Sequence, residues 1–155
     1  MLDTTQYAYE TLEQFVGTDF GATPPVSFGQ NVIDAFADCT GDHQWIHVDP
    51  KRAAKDGPFG TTIAHGFLTL SVLAATVQQA GVIPADAKAV INYGIESVRF
   101  LAPVPSGSEV VSSFRLVGVE PRGDSGKLMK VAAELRVEGA AKPALNATLL
   151  ALIVG

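Results

Sequence analysis

The chain has 155 residues, of which 47% are hydrophobic and 17% charged, the length and make-up of about one globular domain. Eleven Lys and Arg against sixteen Asp and Glu leave a net charge of −5 with no basic cluster, which argues against nucleic acid and anionic membrane surfaces as partners. The lone cysteine, Cys39, excludes an internal disulfide framework and suits a reducing compartment. Met1-Leu2-Asp3-Thr4-Thr5 lacks the positive start and apolar stretch of a secretory signal. The expectation is one soluble, cytoplasmic domain spanning residues 1–155.

Apolar spacing at Tyr7, Ala8, Leu12, Phe15 and Val16 predicts a helix over Thr5–Val16, stopped by Gly17. Thr23-Pro24-Pro25-Val26 is extended, because proline disfavours helix at itself and before it. A second helix runs from about Gln30 to Thr40, with Val32, Ile33, Phe36 and Ala37 on one face and Gly41 as its end. Asp49-Pro50 reads as an N-cap with proline in the first helical position, opening a short turn through Ala54. No charged residue occurs from Gly57 through Ala85. Within that stretch a helix from about Ala64 to Ala80 is apolar on nearly every face. A bilayer span needs about 20 predominantly apolar residues, and His65, Gly66, Thr69, Ser71 and Thr76 interrupt this one. The expectation is a helix buried on all sides inside the protein.

After Pro84 the period changes from helical to alternating. Met129, Val131, Ala133, Leu135 and Val137 point one way, and Lys130, Glu134, Arg136 and Glu138 the other. Ala89–Val104, Glu109–Val119 and Pro143–Val154 are similarly rich in strand formers. Pro103–Gly107 and Gly123–Gly126 are turn sequences. Four successive strands form an antiparallel sheet whose apolar face needs cover, and the apolar helix supplies it. The fold class is therefore α+β, a curved antiparallel sheet wrapped around one helix.

Chemistry-bearing residues crowd into Cys39-Thr40-Gly41-Asp42-His43-Gln44-Trp45-Ile46-His47-Val48-Asp49. Asp42 and His47, five apart, would diverge by about 140° on a helix, so they converge only if the segment is a loop. A carboxylate beside an imidazole can hold a water and move its proton. His43 and His47 share the four-residue spacing of a zinc-protease helix, but Gln44 stands where that motif has its glutamate, and no metal is expected. Ile63-Ala64-His65-Gly66 leads into the apolar helix. The first N–H groups of that helix lack partners and can steady an oxyanion, and glycine at 66 lets a substrate approach. His65 otherwise caps the helix. Asn92-Tyr93-Gly94 could line a pocket but more simply marks a bulge, Arg99 lies on a solvent or interface face, and Cys39 is core or helix filler.

With these residues in view, the sequence resembles the MaoC-like, (R)-specific enoyl-CoA hydratases of the hot-dog fold. The resemblance rests on Phe36 through Asp49, on Ile63-Ala64-His65-Gly66-Phe67-Leu68 and on Val98 through Val104, and it runs from about Val26 to Val154. It implies that Asp42 and His47 are the catalytic pair and that the Gly66 N–H is the oxyanion donor. His65 and Gln44 are implied to lie on the substrate side. Much of the family has Asn-Pro where this chain has Gln44-Trp45, and a serine of the helix pocket in some members falls near Ala74. The implied substrate is an acyl-CoA thioester or its acyl-carrier-protein counterpart, with no cofactor, in a homodimer whose tunnel lies at the subunit interface. The implied reaction is reversible hydration of a trans-2-enoyl-CoA to the (R)-3-hydroxyacyl-CoA. A carrier-protein dehydratase, a thioesterase and a non-catalytic thioester-binding module are its competitors.

Overall fold

The computed structural model describes residues 6–124 and 126–155. Its elements in chain order are a 3-10 segment Tyr9–Phe15, strands β1 (Asp19–Ala22) and β2 (Val26–Phe28), helices α1 (Gln30–Thr40), α2 (Trp45–Val48), α3 (Pro50–Asp56) and α4 (Gly66–Gln79), then strands β3 (Ala89–Phe100), β4 (Ser108–Arg122), β5 (Gly126–Val137) and β6 (Leu145–Val154). The strands form one antiparallel sheet in the order β1-β4-β5-β6-β3, with β2 pairing β4 beyond β1. The sheet is not closed; β3 lies at one of its edges, and β1 and β2 lie at the other.

β5 and the first half of β4 obey the expected alternation, whereas β3 is exposed along most of its length. Met129, Val131, Ala133 and Leu135 of β5 are buried, while Lys130, Ala132, Glu134 and Arg136 between them are only half-buried. With Phe114 and Leu116 of β4, Leu145 and Ile153 of β6, and Leu68, Leu73 and Val77 of α4, they make the core. Each such side chain contributes about 1.5–3 kcal/mol when fully buried. Polar residues of α4 tolerate this setting because their hydroxyls bond back one turn: Thr69 to the Gly66 carbonyl at 2.5 Å and Thr76 to that of Val72 at 2.8 Å.

Several expectations need correction. The N-terminal segment is a 3-10 helix that begins at Tyr9; the residues up to Thr5 lie outside the described ones. β1 and β2 were hidden in sequence because they are short and broken by glycine and proline. The apolar helix starts at Gly66, two residues later than its hydrophobicity suggested. Ala64 N–H is committed to the Val104 carbonyl (2.8 Å), and Ile63 forms a bridge with Pro105. Nor is α4 buried on all sides. Phe67 is 69% exposed, and Ser71, Ala75, Gln78 and Gln79 are exposed with it, because the sheet covers only the opposite face. Among the described residues no helix is long and apolar enough to cross a membrane.

Candidate active site

α1 ends at Gly41, whose left-handed φ of 80° reverses the chain while its N–H caps the Ala37 carbonyl at 2.8 Å. Asp42 therefore leaves the helix at its C-terminus. The segment that follows is not wholly a loop: Trp45–Val48 is a single helical turn, with Gln44 at its N-cap. That turn carries His47 inward, whereas Asp42 stays outside it and is free to converge. Asp49 then caps α3, its carboxylate accepting the Arg52 N–H at 3.0 Å.

One carboxylate oxygen of Asp42, one ring nitrogen of His47 and one of His65 lie within 4.8 Å of one another. Asp42 is exposed, and the two histidines are buried at 7% and 3%. His47 Nδ1 sits 2.7 Å from the Ile63 carbonyl. A carbonyl only accepts, so Nδ1 carries the proton and Nε2 keeps its lone pair. By the same logic His65 Nε2, 2.9 Å from the Asp42 main-chain carbonyl, is the donor nitrogen of that ring. The two rings stack at 3.8 Å with their planes 25° apart, and Phe36 packs on His65 at 5.0 Å. Burial holds the pKa of His47 below the ordinary 6.5. The neighbouring His65 adds to this, while the Ile63 carbonyl and Asp42 oppose it. At neutral pH the His47 ring is a proton acceptor.

This cluster does not suit a metal ion. Imidazole lone pairs lie in the ring plane, and two rings stacked 3.8 Å apart cannot both aim at one ion. His43 does not join it. Its Nε2 lies 2.9 Å from an Asp38 carboxylate oxygen on the surface, which raises its pKa. Gln44 reaches the site through its backbone, its N–H lying 3.3 Å from Asp42 Oδ1, while its side chain is exposed.

His47 and Gly66 line a cleft of about 290 Å³ with Phe59, Thr69, Phe100 and Leu101. Asp42 and His65 are not among its lining residues. As the first residue of α4, Gly66 has an N–H with no intrahelical acceptor. A Cβ there would come within 3.0 Å of the Phe100 ring, so this glycine also answers to a close side-chain neighbour. A larger cavity of about 570 Å³ lies between the open face of α4 and the sheet, lined by Phe67, Ala74, Gln78, Asn92, Tyr93 and Leu149 among others. Asn92-Tyr93-Gly94 is a bulge as expected: β3 slips one residue against β6 there. Phe67 lines one cavity and Phe100 the other, with ring centres 5.9 Å apart.

Sequence reading missed the supports. Gln30 Nε2 donates to the His47 carbonyl (2.7 Å) and to Asp34 (2.8 Å), and its oxygen accepts the hydroxyl of buried Thr62. A polar residue opening a helix carries no signal of such a partner seventeen positions away.

Compared with known proteins, residues 11–139 match the sequence profile of the MaoC like domain. The chain belongs to the MaoC-like family of hydratases and dehydratases. It is 51% identical over 128 residues to the 3-hydroxyacyl-thioester dehydratase Z of Mycobacterium tuberculosis, covering 83% of each chain. Among solved structures it is similar to a monoamine oxidase regulatory protein from Archaeoglobus fulgius, with TM-score 0.80, 28% identity and 95% and 94% of the two chains covered. It is also similar to the (R)-hydratase from A. caviae involved in PHA biosynthesis, with TM-score 0.71, 26% identity and 88% and 94% covered. These structures share the hot-dog architecture, with α4 as the helix that the sheet wraps.

Proposed function

We propose that this MaoC-like protein adds water reversibly to a trans-2-enoyl thioester, giving the (R)-3-hydroxyacyl thioester, with Asp42 and His47 as the catalytic pair. The observation that carries this reading is the convergence of the Asp42 carboxylate with a buried imidazole whose lone pair is free, beside a cleft that also presents an unpartnered helix N–H. One water held by the pair attacks C3. As the C3–O bond forms, His47 Nε2 takes a proton from that water, and the C2–C3 π electrons move toward the thioester oxygen. The Gly66 N–H steadies the resulting enolate, and a proton returned by the pair closes the C2–H bond. Run backwards, the same steps eliminate water. The thioester supplies the acidity at C2, so the balance closes without an external oxidant or reductant.

Two finer points belong to the same proposal. The carrier is coenzyme A. α3, directly after the turn that holds His47, gathers Lys51, Arg52 and Lys55, all exposed and none in an ion pair among the described residues. No basic cluster was expected from the sequence, but these three cations share one short helix, and such a local group suits the carrier's phosphates even in an acidic chain. The protein acts as a homodimer joined along β3, whose free edge carries exposed Ile91, Tyr93 and Ile95. Apolar side chains on an unpaired strand edge favour pairing with a second copy.

The test follows the enoyl-band ultraviolet absorbance of crotonyl-CoA. Loss of absorbance with formation of the (R)-3-hydroxy product is the expected result, with slower turnover of crotonyl-pantetheine, which lacks the nucleotide phosphates. Binding of crotonyl-CoA with unchanged absorbance would refute hydration. Faster turnover of a crotonyl carrier protein than of the CoA ester would reassign the carrier.

A further inference from the structure

His65 is the one buried titratable group beside the reacting pair that the mechanism above does not use. It is 3% exposed, lies outside the lining of the cleft, and ties the Asp42 main chain to the start of α4, where the His47–Ile63 and Ile63–Ile46 bonds join only the other end of the same loop. Its Nε2–H donates to the main-chain carbonyl of Asp42 at 2.9 Å, twenty-three residues away. Its ring lies flat against that of His47 at 3.8 Å, and Phe36 of α1 packs on it at 5.0 Å. As N-cap of α4, it is the residue before the Gly66 N–H. Asp42 belongs to an exposed, glycine-preceded stretch, whereas His47 and Gly66 sit on helical elements. The carboxylate is therefore the one member of the site that no helix holds in place. Among the described residues its other ties are long: Asp42 N–H to the Thr40 hydroxyl at 3.4 Å, and Gln44 N–H to Asp42 Oδ1 at 3.3 Å.

We propose that His65 is a positioning residue: its Nε2–H and its stacked ring fix the Asp42 backbone and the His47 imidazole in one frame beside the Gly66 N–H. This rests on the Asp42–His47 reading and adds to it a part that touches no substrate. The arrangement also leaves His65 Nδ1 buried and without a partner in the described structure. A buried unpartnered acceptor carries a cost, and it is explained when the other nitrogen is the one the site requires.

The experiment compares His65→Phe, which keeps a flat ring and loses the donor, with His65→Gln, which keeps an N–H donor. Hydration of crotonyl-CoA is measured per folded protein. A misplacement of about 1 Å costs about a hundredfold, so His65→Phe should lose about ten- to a hundredfold in kcat with KM within about twofold, and His65→Gln should restore most of it. Full kcat in His65→Phe, or a rise in KM with kcat preserved, overturns the proposal, the latter by making His65 a substrate contact. Asp42→Ala and His47→Ala serve as references. If they are inactive while His65→Phe is not, only the positioning role fails. If they are active, the pair itself is wrong and both readings fall. Nitrogen-15 histidine spectra of the wild-type protein give a check that needs no variant. They should show His65 in the Nε2–H tautomer and His47 in the Nδ1–H tautomer, and a His65 ring protonated at Nδ1 alone overturns the proposal.

Discussion

Between Gln30 and Gly66 the side chains that matter to the site are tied to main-chain carbonyls: Gln30 to His47, His47 to Ile63, His65 to Asp42. Along β3 the situation is reversed. Ile91, Tyr93 and Ile95 are 50%, 45% and 44% exposed, one strand edge is unpaired, and the bulge at Tyr93 loosens the register. The first region reaches its final arrangement within one chain, whereas the second leaves apolar surface unburied. Acid–base chemistry needs donors and acceptors held to fractions of an ångström, and short backbone-anchored bonds do this locally. Enclosing an acyl chain needs only apolar area, which a second copy of the same strand can provide.

The sharpest way to break this contrast is to remove chemistry without touching β3. Asp42→Ala and His47→Ala should each lower kcat by about 10²–10⁴, the range for a lost general acid or base, with the sedimentation mass unchanged. Wild-type-like turnover in folded variants would remove the pair from the mechanism. Gly66→Ala tests where the two regions meet, since the new Cβ would lie 3.0 Å from the Phe100 ring of β3. Displacing that ring or the helix start should cost about tenfold or more in kcat, and a second change, Phe100→Leu, should recover part of it. An unaltered rate in Gly66→Ala would mean the close contact does not bear on the reaction. Ile95→Lys acts on the flank alone. It should turn a dimer into a monomer in analytical ultracentrifugation and weaken turnover of long acyl chains more than that of crotonyl-CoA. A chain that is monomeric without this substitution would show that β3 has another cover.

What could be read in advance followed the same division. The four long strands and α1 were legible because period-2 and period-3.6 patterns are local. That Asp42 and His47 could approach each other was legible from the breaks around them, whereas the roles proposed for them and for Gly66 rest on the family resemblance. The open face of α4 was not legible. The helix is apolar on nearly every face, and only the finished sheet shows which side it fails to cover. Nor did the pattern show that the segment holding His47 is a helical turn, because four residues are too few for periodicity. Gln30 and Phe36 have ordinary positions on an amphipathic helix, and their contacts with His47 and His65 exist only once distant segments meet. Lys51-Arg52-Ala53-Ala54-Lys55 stood in plain view, but its place directly after the His47 turn depends on Asp49 capping α3 there.

The smallest predicted effect concerns protons and separates the buried from the exposed histidine. Burial lowers the pKa of His47 from its ordinary 6.5, so the acid limb of kcat/KM should fall below that value. The same shift links folding to pH. In the unfolded chain His47 binds its proton at the ordinary value, and in the folded chain only at a lower one. Between the two, the unfolded state holds more protons, so stability is complete above the ordinary value and declines as the pH drops toward the folded one. His43 works with the opposite sign. Its hydrogen bond to Asp38 raises its pKa, and whatever it adds is present in acid and lost as the pH rises, weakened by solvent at that exposed position. Urea midpoints measured against pH should therefore lose their acid-side decline in His47→Gln and keep it in His43→Ala, and His43→Ala should leave the activity limb in place. An activity limb at or above the ordinary imidazole value would mean that His47 is not shielded from water, and the contrast between a finished site and an unfinished flank would lose its electrostatic half.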